Sequence, residues 1–177
     1  YFEKSEHFKE VEKRLSNIHD DYYYLIQDVC KDTDNKMIFL GEAGTGKTAG
    51  IVAEADKLLD NGDHLPVIVH AKEFSNGDTW LSIITKSLGL NSSWEETELY
   101  GALRCAALLN GYKNNRKKFN TEHKCVILVD GIDESKDWNF WIQKINEVDA
   151  IKDSFPRIKF VFLSRPYVFD YNQELYD

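Results

Sequence analysis

Four short apolar runs mark the chain: Lys36–Leu40, Val67–His70, Cys125–Asp130 and Ile158–Leu163. Runs this short and this continuously apolar predict strands buried in a sheet. Between them, apolar residues recur at spacings of three and four, the period of a helix face. Ile51, Val52, Ala55, Leu58 and Leu59 predict a helix that starts near Lys47 and stops at Asn61-Gly62. Leu81, Ile84 and Leu88 predict a second, capped by Asp78; Leu99, Leu103 and Ala106 predict a third, after overlapping capping-box patterns at Ser92–Glu95 and Ser93–Glu96. Trp138, Trp141, Ile142, Ile145 and Val148 predict a fourth. Strands alternating with helices imply an α/β fold: a three-layer core with a mainly parallel sheet flanked by helices.

Upstream, Phe8, Val11, Leu15, Ile18, Tyr22, Leu25 and Val29 form a nearly heptad stripe. An amphipathic helix lying on the core is the plain reading, and a dimerising coiled coil the sharper one, at the lower limit of repeat number. The expected organisation is an N-terminal helical or linker segment over 1–35 and a core over 36–177. The opening at Tyr1 reads as an excised piece of something longer. Lys113–Lys118 reads as a polar, basic surface loop.

Composition narrows the class. The chain has 177 residues, 42% hydrophobic and 29% charged, with a net charge of −8. These values suit one soluble globular domain. Such acidity disfavours direct binding of nucleic acid or of a membrane surface by this piece. No apolar run approaches a membrane span. Cys30, Cys105 and Cys125 form no CxxC pair, and their odd count fits reduced thiols in the cytoplasm. His7, His19, His64, His70 and His123 are scattered without zinc-ligand spacing.

The chemistry concentrates after the first strand. Residues 41–48 read Gly-Glu-Ala-Gly-Thr-Gly-Lys-Thr, a full match to G-x-x-x-x-G-K-[ST]. Glycines let consecutive backbone N–H groups point into one concavity, and the helix that follows aims its positive end at bound phosphate. The residues expected against a nucleotide are Gly41, Glu42, Ala43, Gly44, Thr45, Gly46, Lys47, Thr48 and Ala49. Lys47 is expected to reach the β- and γ-phosphates, and the Thr48 hydroxyl to ligate Mg²⁺. The plain alternative is a glycine-rich turn that binds nothing. Gly44-Thr-Gly46-Lys-Thr-Ala49 also fits a dinucleotide fingerprint, but the second strand ends in His70-Ala71 where an acid is needed for the ribose.

Two further strand ends carry polar chemistry. The third closes on Asp130, expected to bind Mg²⁺ directly or through water. Gly131-Ile132-Asp133-Glu134 follows. Asp133 and Glu134 are candidates to orient or activate an attacking water, with Glu134 slightly favoured; spacing does not separate them. Both acids also suit the N-terminus of the helix bearing Trp138. The fourth strand ends in Ser164-Arg165-Pro166, where Arg165 is placed to meet γ-phosphate charge or, more plainly, to pair with a local acid.

Together, Gly-Glu-Ala-Gly-Thr-Gly-Lys-Thr (41–48), Val-Asp-Gly-Ile-Asp-Glu (129–134) and Leu-Ser-Arg-Pro (163–166) resemble the NACHT branch of the STAND class of P-loop NTPases. Gly131 stands where general AAA+ ATPases place a glutamate, and Ser164 stands where threonine is common in NACHT proteins. The resemblance covers most of 36–166. It implies an ATP/ADP- and Mg²⁺-dependent switch that hydrolyses ATP, slowly in isolation, with Lys47, Asp133, Glu134 and Arg165 in catalytic roles and Thr48 and Asp130 on the metal. It also implies self-association through the core in the full-length protein, an unknown trigger sensed by another domain, helical-lid and winged-helix domains beyond this chain, and a cytoplasmic role in innate immune or antiphage defence. The rivals are a P-loop kinase and a nucleotide-holding assembly module without turnover. GTP is disfavoured, because no Asn-Lys-x-Asp motif is present.

Overall fold

The computed structural model describes residues 24, 26–31, 34–42, 46–62, 64–91, 93–114 and 123–170, leaving aside the side chains of 111–114 and 170. Four strands, β1 (Lys36–Leu40), β2 (Leu65–His70), β3 (Cys125–Asp130) and β4 (Ile158–Ser164), form one sheet in the order β1-β4-β3-β2. All three pairings are parallel, so the expected mainly parallel sheet is wholly parallel among the described residues. Parallel neighbours need long crossovers. Helix α2 (Lys47–Asn61) joins β1 to β2, α3 (Trp80–Ser87) and α4 (Glu96–Asn114) join β2 to β3, and α5 (Trp138–Ser154) joins β3 to β4. A short α6 (Tyr167–Asp170) follows β4, and residues 26–31 form the helical segment α1 before β1.

The inner strands are mostly apolar because each face meets a different helical layer; Lys159, Asp130 and Ser164 are the polar residues buried within them. Cys125, Ile127 and Val129 of β3, with Ile158, Phe160 and Phe162 of β4, join the core beneath α3, α4 and α5. Val126 and Leu128, with Val161 and Leu163, join a second core beneath α1 and α2. Side chains alternate along a strand, so adjacent residues serve opposite layers. Trp80 anchors the larger core, its ring 4.8 Å from Phe160 and its Nε1–H donating to the Lys144 carbonyl at 3.2 Å. Each such buried side chain contributes roughly 1.5–3 kcal/mol. The parity also puts Asp130 on the face of Val126 and Leu128, the face that α2 covers.

Several local expectations shift. β1 is half-exposed rather than buried, because the strand order leaves it at an edge. Val52, Leu59 and Leu88 face solvent, and Ala107 rather than Ala106 is fully buried in α4. Thr79, not Asp78, caps α3, in a reciprocal box with Ser82. Asp78 sits one residue earlier and gathers the Ser75 N–H, the Ser82 hydroxyl and the Lys86 ammonium. Helix α4 begins at Glu96, the last residue of the second predicted box; its entry is held by the Glu95 N–H donating to Glu98 Oε2 at 3.1 Å. The backbone of α4 runs through Lys113 and Asn114, and the rest of the basic stretch lies outside the described residues. So does the heptad stripe before residue 24. Gly62 ends α2 as expected, left-handed at φ 68°, with its N–H on the Leu58 carbonyl. No helix among the described residues is long and apolar enough to cross a membrane. All three cysteines are unbridged.

Candidate functional site

The C-terminal ends of β1, β3 and β4 bring the three sequence motifs to one edge of the sheet. Leu40 lies level with Ser164, and the next N–H, that of Gly41, donates to the Ser164 carbonyl at 3.0 Å. The start of the glycine-rich turn is thus tied to the end of β4. Phe39 pairs with Leu163 and Val129 with Phe162, so Asp130 projects one residue beyond, level with Leu163. One strand separates it from β1, and strand spacing makes that about 10 Å.

Helix α2 closes the gap. Gly46 precedes it in the left-handed region, φ 77°, which an L side chain strains to reach. Among the described residues no side chain caps this start, and no acid occupies its first turn. The leading N–H groups and the positive end of the helix therefore remain for an anion. From the first turn the Thr48 hydroxyl donates to Asp130 Oδ2 at 2.6 Å, joining residues far apart in sequence. Asp130 is buried, and Thr48 is exposed.

Lys47 folds back over the turn. Its ammonium donates to the carbonyl of Gly41, and to that of Glu42 at 2.9 Å. An ammonium has three N–H bonds, so this posture fixes the charge and leaves one donor for a ligand. A Cβ at Gly41 would come 3.1 Å from Lys47 Cδ, so a bare backbone lets the lysine stem lie this close. Ala43, Gly44 and Thr45 lie outside the described residues.

The acidic segment turns sharply after Asp130. Gly131 is left-handed at φ 77°, and Ile132–Glu134 makes a single 3-10 turn pinned by buried Ile132. The two acids part company here. The Glu134 side chain is exposed and curls towards Gly131, whose Cβ position would lie 3.7 Å from the Glu134 carboxyl carbon. The Asp133 side chain is only 4% exposed and pairs with Arg165, Oδ2 to Nε 2.9 Å. That contact is Coulombic rather than directional: the Arg165 Nε has no hydrogen-bond partner among the described residues.

Neither acid caps α5. Asp137 does, its side chain accepting the Phe140 N–H at 3.1 Å. The residue directly before Trp138 is where an N-cap belongs, and an Asp there was the available signal. The helix-start alternative for Asp133 and Glu134 is thereby removed. Sequence reasoning also missed His70, which the register sets beside Asp130 at the same edge.

The assembled groups are a fixed ammonium, a free helix start, a hydroxyl joined to a buried carboxylate, an exposed carboxylate and an arginine. Positive groups gather at the turn and oxygen donors flank them. No family model, curated protein or solved structure matches the chain.

Proposed function

We propose that this edge binds Mg²⁺–ATP and that the chain is the ATP-hydrolysing switch core of a signalling NTPase. The carrying observation is the Thr48–Asp130 hydrogen bond at 2.6 Å, beside an ammonium held on the Gly41 and Glu42 carbonyls. A hydroxyl and a carboxylate are hard oxygen donors, the kind Mg²⁺ takes in ones and twos while keeping waters and phosphate oxygens. The uncapped start of α2 suits the phosphate tail. The residues therefore fit both groups.

Thr48 and Asp130 would hold the metal, which would neutralise charge on the β- and γ-phosphate oxygens. Lys47 and the leading N–H groups of α2 bind and orient the phosphate tail. Their electrostatic effect is greatest where charge builds on the way to the transition state. Glu134, exposed and curled towards Gly131, is the group that would take or orient the proton of an attacking water. Asp133, enclosed and engaged with Arg165, is not placed for that task. Arg165 supplies positive charge from the end of β4. The resemblance noted above extends this reading to a cytoplasmic STAND/NACHT switch in immune or antiphage defence that self-associates in its ATP state.

Calorimetry of Mg²⁺–ATP against the parent chain and Lys47→Ala tests the proposal. Loss of tight binding in the variant is expected; equal affinity would overturn the reading. Phosphate release by Glu134→Gln, alone and after assembly of the full-length protein, separates an ATPase from a nucleotide-holding module. A kinase would instead need a phosphate acceptor.

A further inference from the structure

We propose that Asp133 tunes the preference of this site for a nucleoside triphosphate over a diphosphate, by holding the Arg165 side chain until a terminal phosphate competes for it. The inference rests on the nucleotide-binding reading above and assigns a specificity role to a residue that the water-activating step does not use.

Both backbones at this contact are fixed. Ser164 is tied to Gly41, while the carbonyls of Arg165 and Pro166 accept the N–H groups of Val168 and Phe169 at 3.2 and 3.0 Å. On the other side, Glu134 N–H donates to the Gly131 carbonyl at 2.9 Å and Ser135 N–H to that of Ile132 at 3.1 Å. Only the side chains are left to move, and the Arg165 side chain is 35% exposed. Arg165 directly follows the residue whose carbonyl accepts the Gly41 N–H, so its backbone leaves β4 next to the start of the glycine-rich turn.

The bond it makes there is incomplete. Guanidinium is a planar fork of five donors, best used two at a time on paired oxygens. Against Asp133 it has proximity without a directed Nε–H bond. An ion pair without a directed hydrogen bond is weaker than one with it, so a phosphate offering several acceptor oxygens is the better partner. A diphosphate lacks that terminal group. Asp133 therefore subtracts from ATP binding through Arg165 and sets how sharply the two nucleotides are told apart.

The test is equilibrium binding of fluorescent ATP and ADP analogues, with Mg²⁺, to the 177-residue chain and to Asp133→Asn, Asp133→Glu, Arg165→Ala and the Asp133→Asn/Arg165→Ala double variant. Asp133→Asn is isosteric, and Asp133→Glu keeps the charge should neutralisation prevent folding. Asp133→Asn should raise the ATP-to-ADP affinity ratio about fivefold, the worth of one partly exposed ion pair. Asp133→Glu should stay near the parent ratio, and Arg165→Ala should lower it. Adding Asp133→Asn to Arg165→Ala should change nothing further. An unchanged or lowered ratio in Asp133→Asn overturns the proposal. So does a rise that persists without Arg165, since removing a negative charge alone would then explain it. Failure of both nucleotides to bind the parent chain would sink the nucleotide reading itself.

Discussion

Replacing Thr48 by Val removes one O–H and nearly nothing else in volume. That hydroxyl donates to a carboxylate buried at the end of β3, at 2.6 Å. Hydrogen bonds to charged groups contribute about 1.5–3 kcal/mol. Thr48 itself is exposed, so water can partly replace it, and about 1.5 kcal/mol is the expected loss. For a domain of this size that lowers Tm by about 3–6 °C. Urea or thermal unfolding with a chelator present measures it. Thr48→Ser, which keeps the donor, should stay close to the parent. In an Asp130→Ala background, Thr48→Val should cost almost nothing, giving a coupling energy of about 1.5 kcal/mol. A Thr48→Val cost below about 0.5 kcal/mol, or one equal in both backgrounds, would refute the claim that α2 and β3 are joined at this point.

Other consequences can be checked separately. Asp137→Ala removes the cap of α5 and should cost about 1 kcal/mol by urea unfolding, with Mg²⁺–ATP affinity unchanged. Burial pushes the Asp78 carboxyl up, but the Lys86 ammonium, the Ser75 N–H and the Ser82 hydroxyl outweigh it and hold the group below its usual value. Its folded value is the depressed one, so its contribution is complete above the unfolded carboxylate value of about 3.9 and is lost as pH falls through the folded value. Asp78→Asn should therefore flatten the acid limb of a stability–pH curve. Burial pushes the Cys30 thiol up to about 12 and raises that of Cys125 further, while Cys105 is exposed. A thiol reagent at pH 8 should label Cys105 alone in the folded chain and all three cysteines in denaturant, by mass spectrometry.

The strands and their parallel pairing were legible in the sequence because inner strands between two helical layers are apolar at most positions, Lys159 of β4 being a buried exception. Val126-Ile-Leu-Val129 admits little else. The start of α2 directly after the glycine-rich stretch was legible because its signals are local. What escaped depends on contacts between distant segments. The exposure of β1 follows from strand order, which no local pattern encodes. Lys144 is buried in α5 with its ammonium 2.7 Å from Glu147 and over the Phe140 ring, a charged residue where a stripe search expects an apolar one. The division between Asp133 and Glu134 could not be read from spacing, since they are neighbours. It arises because a 3-10 turn directs one inward to meet an arginine from another strand and leaves the other in solvent. The caps at Thr79 and Asp137 were visible in principle: both stand immediately before the first apolar residue of their helices.

The most direct measurement is a crystal structure of the chain with Mg²⁺ and a non-hydrolysable ATP analogue. The account predicts the triphosphate at the start of α2 against the Lys47 ammonium, with the metal between the Thr48 hydroxyl and Asp130. An analogue bound elsewhere, or bound here with Thr48 still donating to Asp130 and no metal beside them, would contradict it.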